Sequence, residues 1–441
     1  MKPEYDETSR RVGGAPRVLA LLLLAATEAT AQTRLTFDGA MRRALEVNNT
    51  VESSRAGIGV ASASRDLLLS AVMPRISIGG DLTRNSIESS FGGEGDEVTL
   101  IPRNDWRYQI TLSQPIFAGR RELRAYSQAK LGVENARQGS FGTEDGALLR
   151  VASSFLALVN AEARMEIELR NIELAQRRRT QASAFYEAGE VTRVDVLRAE
   201  TAVKAAQRVM AGAEQARQIA ESDLRAALDL EGPLEAEPPA QKLPPLPDEA
   251  TLVARAAESR PDVNVAENNM RIAELEISKQ RGYWLPTVTF DGGLISQKSP
   301  FPAERYSYGA LRFNIPIFQS GEVVARVAGA KQLREQARLS LQDARIMARE
   351  DVLKALVDLR GAEVSLALAG EQLQAAEAEY AQSFELYRAQ EATSLDVASS
   401  ETSLADARRA VAEETLNRDL AELRVWYAAG AIKEALLGAT R

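Results

Sequence analysis

The chain has 441 residues, a formal net charge of -8, only 5% aromatic residues, and neither histidine nor cysteine. That composition excludes imidazole general bases, thiolate nucleophiles and the usual zinc and iron–sulfur ligand sets. The acidic balance gives no general attraction to phosphate backbones, so no nucleic acid partner is expected; no Gly-x-x-x-x-Gly-Lys-Ser/Thr loop occurs, and no cofactor is expected. At the N-terminus, Arg10, Arg11 and Arg17 precede the apolar run from Val18 to Ala26, and Ala29-Thr30-Ala31 supplies small residues at cleavage spacing. Residues 1–31 therefore read as a cleaved signal peptide, with the mature chain starting near Gln32. The acids Glu4, Asp6 and Glu7 are unusual in such a leader. Val12-Gly13-Gly14 after Arg10-Arg11 lacks the apolar pair of a twin-arginine signal, and no cysteine follows for lipidation. No later segment reads as a transmembrane helix, so an exported chain of this kind is either periplasmic or crosses a membrane as β-strands.

Self-comparison organises the rest. Gln114-Pro115-Ile116-Phe117 recurs as Ile315-Pro316-Ile317-Phe318, and the segment 186–196 recurs as 387–397, both at an offset of 201 residues. Met73-Pro74-Arg75-Ile76-Ser77-Ile78 matches Leu285-Pro286-Thr287-Val288-Thr289-Phe290 at an offset of 212, which leaves an 11-residue insertion in the first copy between residues 82 and 107. The expected division is a first repeat over 32–232, a Pro-rich linker over 233–248 and a second repeat over 249–441.

Within each copy, shorter N-terminal helices precede a hairpin of strands marked by period-two alternation. The expected strands are 75–83 and 106–114 in the first copy, and 287–295 and 306–314 in the second. Ile76, Ile78 and Leu82 alternate with Ser77, Gly79, Asp81 and Thr83. Trp106, Tyr108, Ile110 and Leu112 likewise alternate with Arg107, Gln109, Thr111 and Ser113, an apolar-out, polar-in pattern. Tyr306 and Tyr308 fall out of phase with Leu311, which predicts either a bulge or a shifted strand boundary there. Trp106, Tyr108, Tyr306 and Tyr308 are candidates for an interfacial aromatic belt. The loops from Arg84 to Asp105 and from Ser296 to Arg305 would lie on the outer side.

All 16 prolines lie outside the stretches 117–232 and 317–441. Because proline breaks a helix interior, each stretch can hold two long helices: about 118–189 and 193–229, then about 320–390 and 394–429. Leu148, Val151, Phe155, Leu158, Met165, Leu169 and Ile172 form a heptad seam interrupted at Glu162. Val352, Leu356, Leu359, Leu366 and Leu373 repeat its phase with Glu363 at the matching interruption. Thr192-x-x-Asp195 and Thr393-x-x-Asp396 read as capping boxes at the turns between the long helices. The fold class is thus mainly α with a small β part, a β-hairpin plus a long antiparallel helical hairpin, carried twice. Four strands cannot close a membrane barrel, because an open edge is not tolerated in lipid, so spanning requires oligomers.

The ordered, duplicated set of proline-bounded hairpin, Pro-Ile-Phe junction and helical hairpin with its Asp-Val tip resembles the TolC family of outer-membrane efflux proteins over nearly the whole mature chain. The resemblance implies a homotrimer in the outer membrane, contacting its lipid, with a 12-stranded barrel and an α-helical barrel in the periplasm. It also implies a periplasmic adaptor protein and an inner-membrane transporter as partners, and a passive exit duct for efflux or type I secretion rather than an enzyme. Pro115, Phe117, Pro316 and Phe318 are similar to the family's strand-to-helix junctions. Asp396, Tyr387, Asp195 and Tyr186 fall at its periplasmic entrance, where a threefold ring of aspartates favours cations. Ser399 stands where some relatives have a second acid, and Ala392 where some have a locking arginine. A periplasmic coiled-coil scaffold or adaptor without a membrane barrel is the alternative reading.

Overall fold

The computed structural model describes residues 33–92, 98–239, 243–300 and 302–438. The expected signal peptide and its cleavage site lie outside these residues. In chain order the elements are β1 (Thr33–Leu35), α1 (Phe37–Val47), α2 (Asn49–Ser70), β2 (Arg75–Arg84), β3 (Ser89–Phe91), β4 (Val98–Ile101) and β5 (Asn104–Ala118). They continue with α3 (Arg121–Glu187), α4 (Arg193–Leu228), β6 (Leu234–Ala236), α5 (Glu249–Ser259) and α6 (Pro261–Arg281). The chain closes with β7 (Thr287–Gln297), β8 (Arg305–Asn314), α7 (Glu322–Arg388), α8 (Ser394–Ala428) and α9 (Ile432–Leu437). At 1.5 Å rise per residue, the 67 residues of α3 span about 100 Å, as do the 67 of α7.

Apolar residues that alternate along each strand produce one antiparallel sheet in the order β2-β5-β7-β8. Pairing places Ile76, Ile78 and Leu82 opposite Leu112, Ile110 and Trp106. The same face continues across β7 and β8 through Leu294 beside Ile110, Phe290 beside Leu311 and Val288 beside Phe313. The opposite face is polar: Ser77 and Thr111 hydroxyls lie 2.7 Å apart, Arg107 donates to Gln297, and Arg312 meets Asp291 at 3.1 Å.

Two expectations for this sheet are corrected. The ladder between β7 and β8 is regular, so there is no bulge at Tyr306 and Tyr308. Their phase differs from that of Leu311 because they point to the polar face, and only Trp106 and Tyr108 remain on the apolar one. Tyr308 lies over Gly293, where an added Cβ would stand 2.7 Å from the ring. The irregularity sits instead in β5, between Pro115 and Phe117, where proline cannot donate to the ladder.

The glycines at the junction have a specific task. A Cβ on Gly119, which has φ +64°, would meet the Gly282 carbonyl oxygen at 2.2 Å, and one on Gly282 would meet the Gly119 oxygen at 2.4 Å. Only two glycines allow this backbone approach between the end of β5 and the turn before β7.

The main core sits part-way along the helices. Leu148, Val151, Phe155 and Leu158 of α3 pack with Met41 of α1, Leu224 and Leu228 of α4, Leu252 of α5, Val352 of α7, Trp426 of α8 and Ile432 of α9. Phe37 meets Phe155 edge to face at 5.3 Å. Arg43 of α1 donates to the carbonyls of Leu228 and Asp229, filling acceptors that the end of α4 leaves open. The Pro-rich stretch carries β6, which pairs in parallel with β1. Glu162 lies near it, its carboxyl pushed upward by burial and drawn down by Arg217, whereas Glu363 is exposed.

The seam of α3 departs from expectation beyond Leu158. The buried line runs through Ala161, Glu168, Asn171, Ala175, Arg178 and Ala182, while Leu169 is 50% exposed. The reason is the partner: α3 there faces α8 as well as α4, and α8 offers cations and carboxylates. By length and composition α3 is also apolar enough to cross a membrane, contrary to the expectation that no such helix follows the leader. Part of that apolar surface, through Leu148, Val151, Phe155 and Leu158, is buried in the helical core.

Candidate functional site: the helical tips

At the ends of α3 and α7 the chain reverses through two equivalent turns. Gly189 has φ +79° and Gln390 φ +63°, so both helices stop on a left-handed residue. Glu190 N–H donates to the Phe185 carbonyl and Glu391 N–H to that of Leu386, closing each helix end. Gln390 adopts without glycine's freedom a conformation that costs most side chains about 1 kcal/mol or more.

Each turn leads into a reciprocal cap. Thr192 donates to Asp195 from its backbone N–H at 3.1 Å and from its hydroxyl at 2.7 Å; Thr393 does the same to Asp396 at 2.9 and 2.7 Å. The two aspartates then diverge. Asp396 caps its own helix and stays exposed, and the Thr393 hydrogen bonds hold its carboxyl below the usual range. Asp195 uses its second oxygen to accept from the Ser394 hydroxyl at 2.5 Å, which ties the first tip to the second. That bond, followed by the Thr192 bonds, holds the Asp195 carboxyl below the usual range.

The two tip tyrosines diverge similarly. Tyr186 is 46% exposed, whereas Tyr387 is 5% exposed and meets Phe185 edge-on, ring centroids 5.7 Å apart. Burial, reinforced by the nearby Asp195, pushes the Tyr387 hydroxyl upward. Tyr387, Asp195, Ser394 and Arg178 border one cleft of about 320 Å³.

Above the tips, α3 and α8 are joined by charged pairs that sequence reading missed. Arg178 donates to Glu401 at 2.6 Å with both side chains almost fully covered, and Arg409 donates to Glu168 at 2.6 Å. Burial pushes the Glu401 carboxyl up against the pull of Arg178, and its buried Oε1 has no hydrogen-bond partner among the described residues. Burial also acts on Glu168, but hydrogen bonds from Arg409 and Asn171 outweigh it and hold that carboxyl low. The signal in the sequence is charge at the heptad spacing of Glu168, Asn171, Ala175, Arg178 and Ala182, visible only once the seam is allowed to be polar.

At the other end of the helices, the junction residues of the two copies are not alike. Pro115 and Phe117 lie within β5, whereas Pro316 and Phe318 follow the end of β8, and Phe318 is 85% exposed. Among the described residues no cluster of carboxylates could hold a metal ion.

An amphipathic sheet with free edges, grown from paired helical hairpins of about 100 Å, defines a class of chain whose strands suit lipid and whose helices extend far from it. The family model described as "Outer membrane efflux protein" matches residues 40–229 and 252–431. The chain belongs to this family and is an outer-membrane efflux protein. It is 23% identical over 399 residues to outer membrane efflux protein BepC of Brucella suis biovar 1, covering 88% of this chain and 84% of that one. Its fold matches the solved structure of CusC with a TM-score of 0.77 at 18% identity, over 90% and 92% of the two chains. It matches the open state of the Neisseria gonorrhoeae MtrE outer membrane channel at 0.74 and 18%, over 90% and 89%.

Proposed function

We propose that three copies of this chain form one passive exit duct across the outer membrane. The observation that carries this is the four-stranded sheet: one face is apolar, the other polar, and among the described residues its outer strands β2 and β8 each have only one partner. No unpaired strand edge survives in hydrocarbon, so the sheet must be completed by copies of itself. Three copies give a 12-stranded barrel and, from α3, α4, α7 and α8, a helical barrel continuing into the periplasm. Energy for transport comes from an inner-membrane transporter, joined to the duct through a periplasmic adaptor, and the chain itself catalyses nothing.

The tips form the periplasmic entrance. Asp195 tethers the first hairpin to the second through Ser394, with Tyr387 packed behind it, while Asp396 remains exposed after capping its helix. Threefold symmetry brings three Asp396 carboxylates to one end of the assembly, which favours cations there. Tyr186, exposed at the end of α3, faces the solvent at the same end. Single-channel recording in planar bilayers tests this reading. Asp396→Ala should lower cation preference, and Asp195→Ala should raise conductance by loosening the tie between hairpins. Unchanged traces from both would leave the tips with capping roles alone.

A further inference from the structure

We propose that β8 pairs with β2 of the neighbouring copy in one specific antiparallel register, with Leu311 opposite Leu82 of the partner subunit. This rests on the threefold reading above and adds the residue alignment of its closing joint.

The two hairpins share one internal register. Ile78 lies opposite Ile110 in the first, and Phe290 opposite Leu311 in the second. Phe290 stands 212 residues after Ile78 and Leu311 stands 201 after Ile110, the offsets of the sequence repeat. The join between hairpins is also observed: β5 pairs with β7, with Ile110 opposite Leu294, Leu112 opposite Gly292 and Gln114 opposite Phe290. Moving that join by the same offsets turns β5 into β8 and β7 into β2. It places Leu311 opposite Leu82 of the partner subunit, Phe313 opposite Gly80 of the partner subunit and Ile315 opposite Ile78 of the partner subunit.

Three observations favour this register. First, it lets the two apolar faces run on continuously, since Leu311 and Phe313 share one face of β8 and Ile76, Ile78 and Leu82 share one face of β2. A slip of one residue would put each apolar row beside a polar one. Second, it places Arg312 opposite Asp81 of the partner subunit on the polar face, a favourable cross-strand charge pair. A slip of two residues would offer Arg312 only Gly79 of the partner subunit or Thr83 of the partner subunit. Third, the Pro-Ile-Phe segments behave differently in the two copies. In β5 the strand continues to Ala118 because Thr287 to Phe290 of β7 pair with it. In the second copy the ladder stops at Asn314, leaving Ile315, Ile317 and Phe318 58%, 95% and 85% exposed. The partner's β2 supplies the missing strand.

The equivalence is looser at the turn. Gly119 and Gly282 correspond to Ser320 and Ser70, whose Cβ atoms forbid the same backbone approach, so the strands carry the register.

The chain has no cysteine, so engineered pairs can be read directly. Opposed Cα atoms of about 4.5–5.5 Å suit a disulfide. Ala310→Cys with Thr83→Cys is in register; Ala310→Cys with Asp81→Cys and Ala310→Cys with Asn85→Cys are each two residues off. Each protomer carries one cysteine for each neighbour, so oxidation of the detergent-solubilised protein should convert the in-register variant to covalent dimer and trimer on a non-reducing denaturing gel. The off-register variants should stay largely monomeric. Faster cross-linking of either of those, or none in a protein still trimeric before denaturation, overturns the register and leaves the threefold assembly standing. A monomer that needs no detergent overturns both. Asn314→Cys with Gly79→Cys is a second in-register pair, and Gly79 has room for a side chain, since a Cβ there would meet nothing closer than 3.8 Å.

Discussion

Asp195 is the residue with the most to do, because one carboxylate both caps α4 and accepts the Ser394 hydroxyl from the other hairpin. Its pKa is lowered in the folded chain, so the contribution of these bonds is complete above the ordinary carboxylate range of about 4 and is lost as pH falls through the lowered folded value. Conductance of the wild type should therefore rise on acidification below about pH 4, and Asp195→Asn should remove most of that step. An acid response unchanged in Asp195→Asn would assign it elsewhere. Glu401 behaves with the opposite sign. Its folded pKa is raised, so ionising it costs stability as pH rises through and above the usual range. Glu401→Gln should flatten that dependence in thermal melts, whereas Glu401→Leu, which strands the buried Arg178, should cost about 3–5 kcal/mol. The caps were legible because Thr and Asp lie three residues apart. Ser394 and Glu401 were not, because their partners lie 199 and 223 residues away and no local pattern marks them.

Among the elements, long helices and strands were legible wherever period and proline placement agreed. The seam of α3 follows its leucines only as far as Leu158, since beyond it the neighbour is α8 with Arg409 and Glu401 rather than an apolar stripe. β6 and α9 escape a sequence reading because elements of 3 and 6 residues are too short to show a period. The phase break at Tyr306 is real in the residues but arises from a change of face rather than a bulge. Two substitutions probe the elements. Phe155→Ala, at the point where α1 meets α3, should lower stability by about 3–5 kcal/mol in denaturant titration. Gly282→Ala forces β7 away from the end of β5 and should cost about 1–3 kcal/mol, seen as a lower midpoint for heat dissociation. Wild-type behaviour of Gly282→Ala would mean that the two backbones can separate freely.

On the scale of the whole molecule, family membership and fold agree with a chain written twice, and the repeat offsets are preserved in the hairpin registers. The duplication makes the sheet extendable, since the join that links its own two hairpins can link one copy to the next. The helical hairpins then follow as a second, longer barrel whose tips meet at the far end. The threefold closure of the sheet is the claim on which the duct depends. Its most direct test is the native mass of the protein extracted from outer membranes in detergent. A species of three protomers that collapses to one on heating is expected. A stable monomer recovered without detergent would contradict the threefold closure.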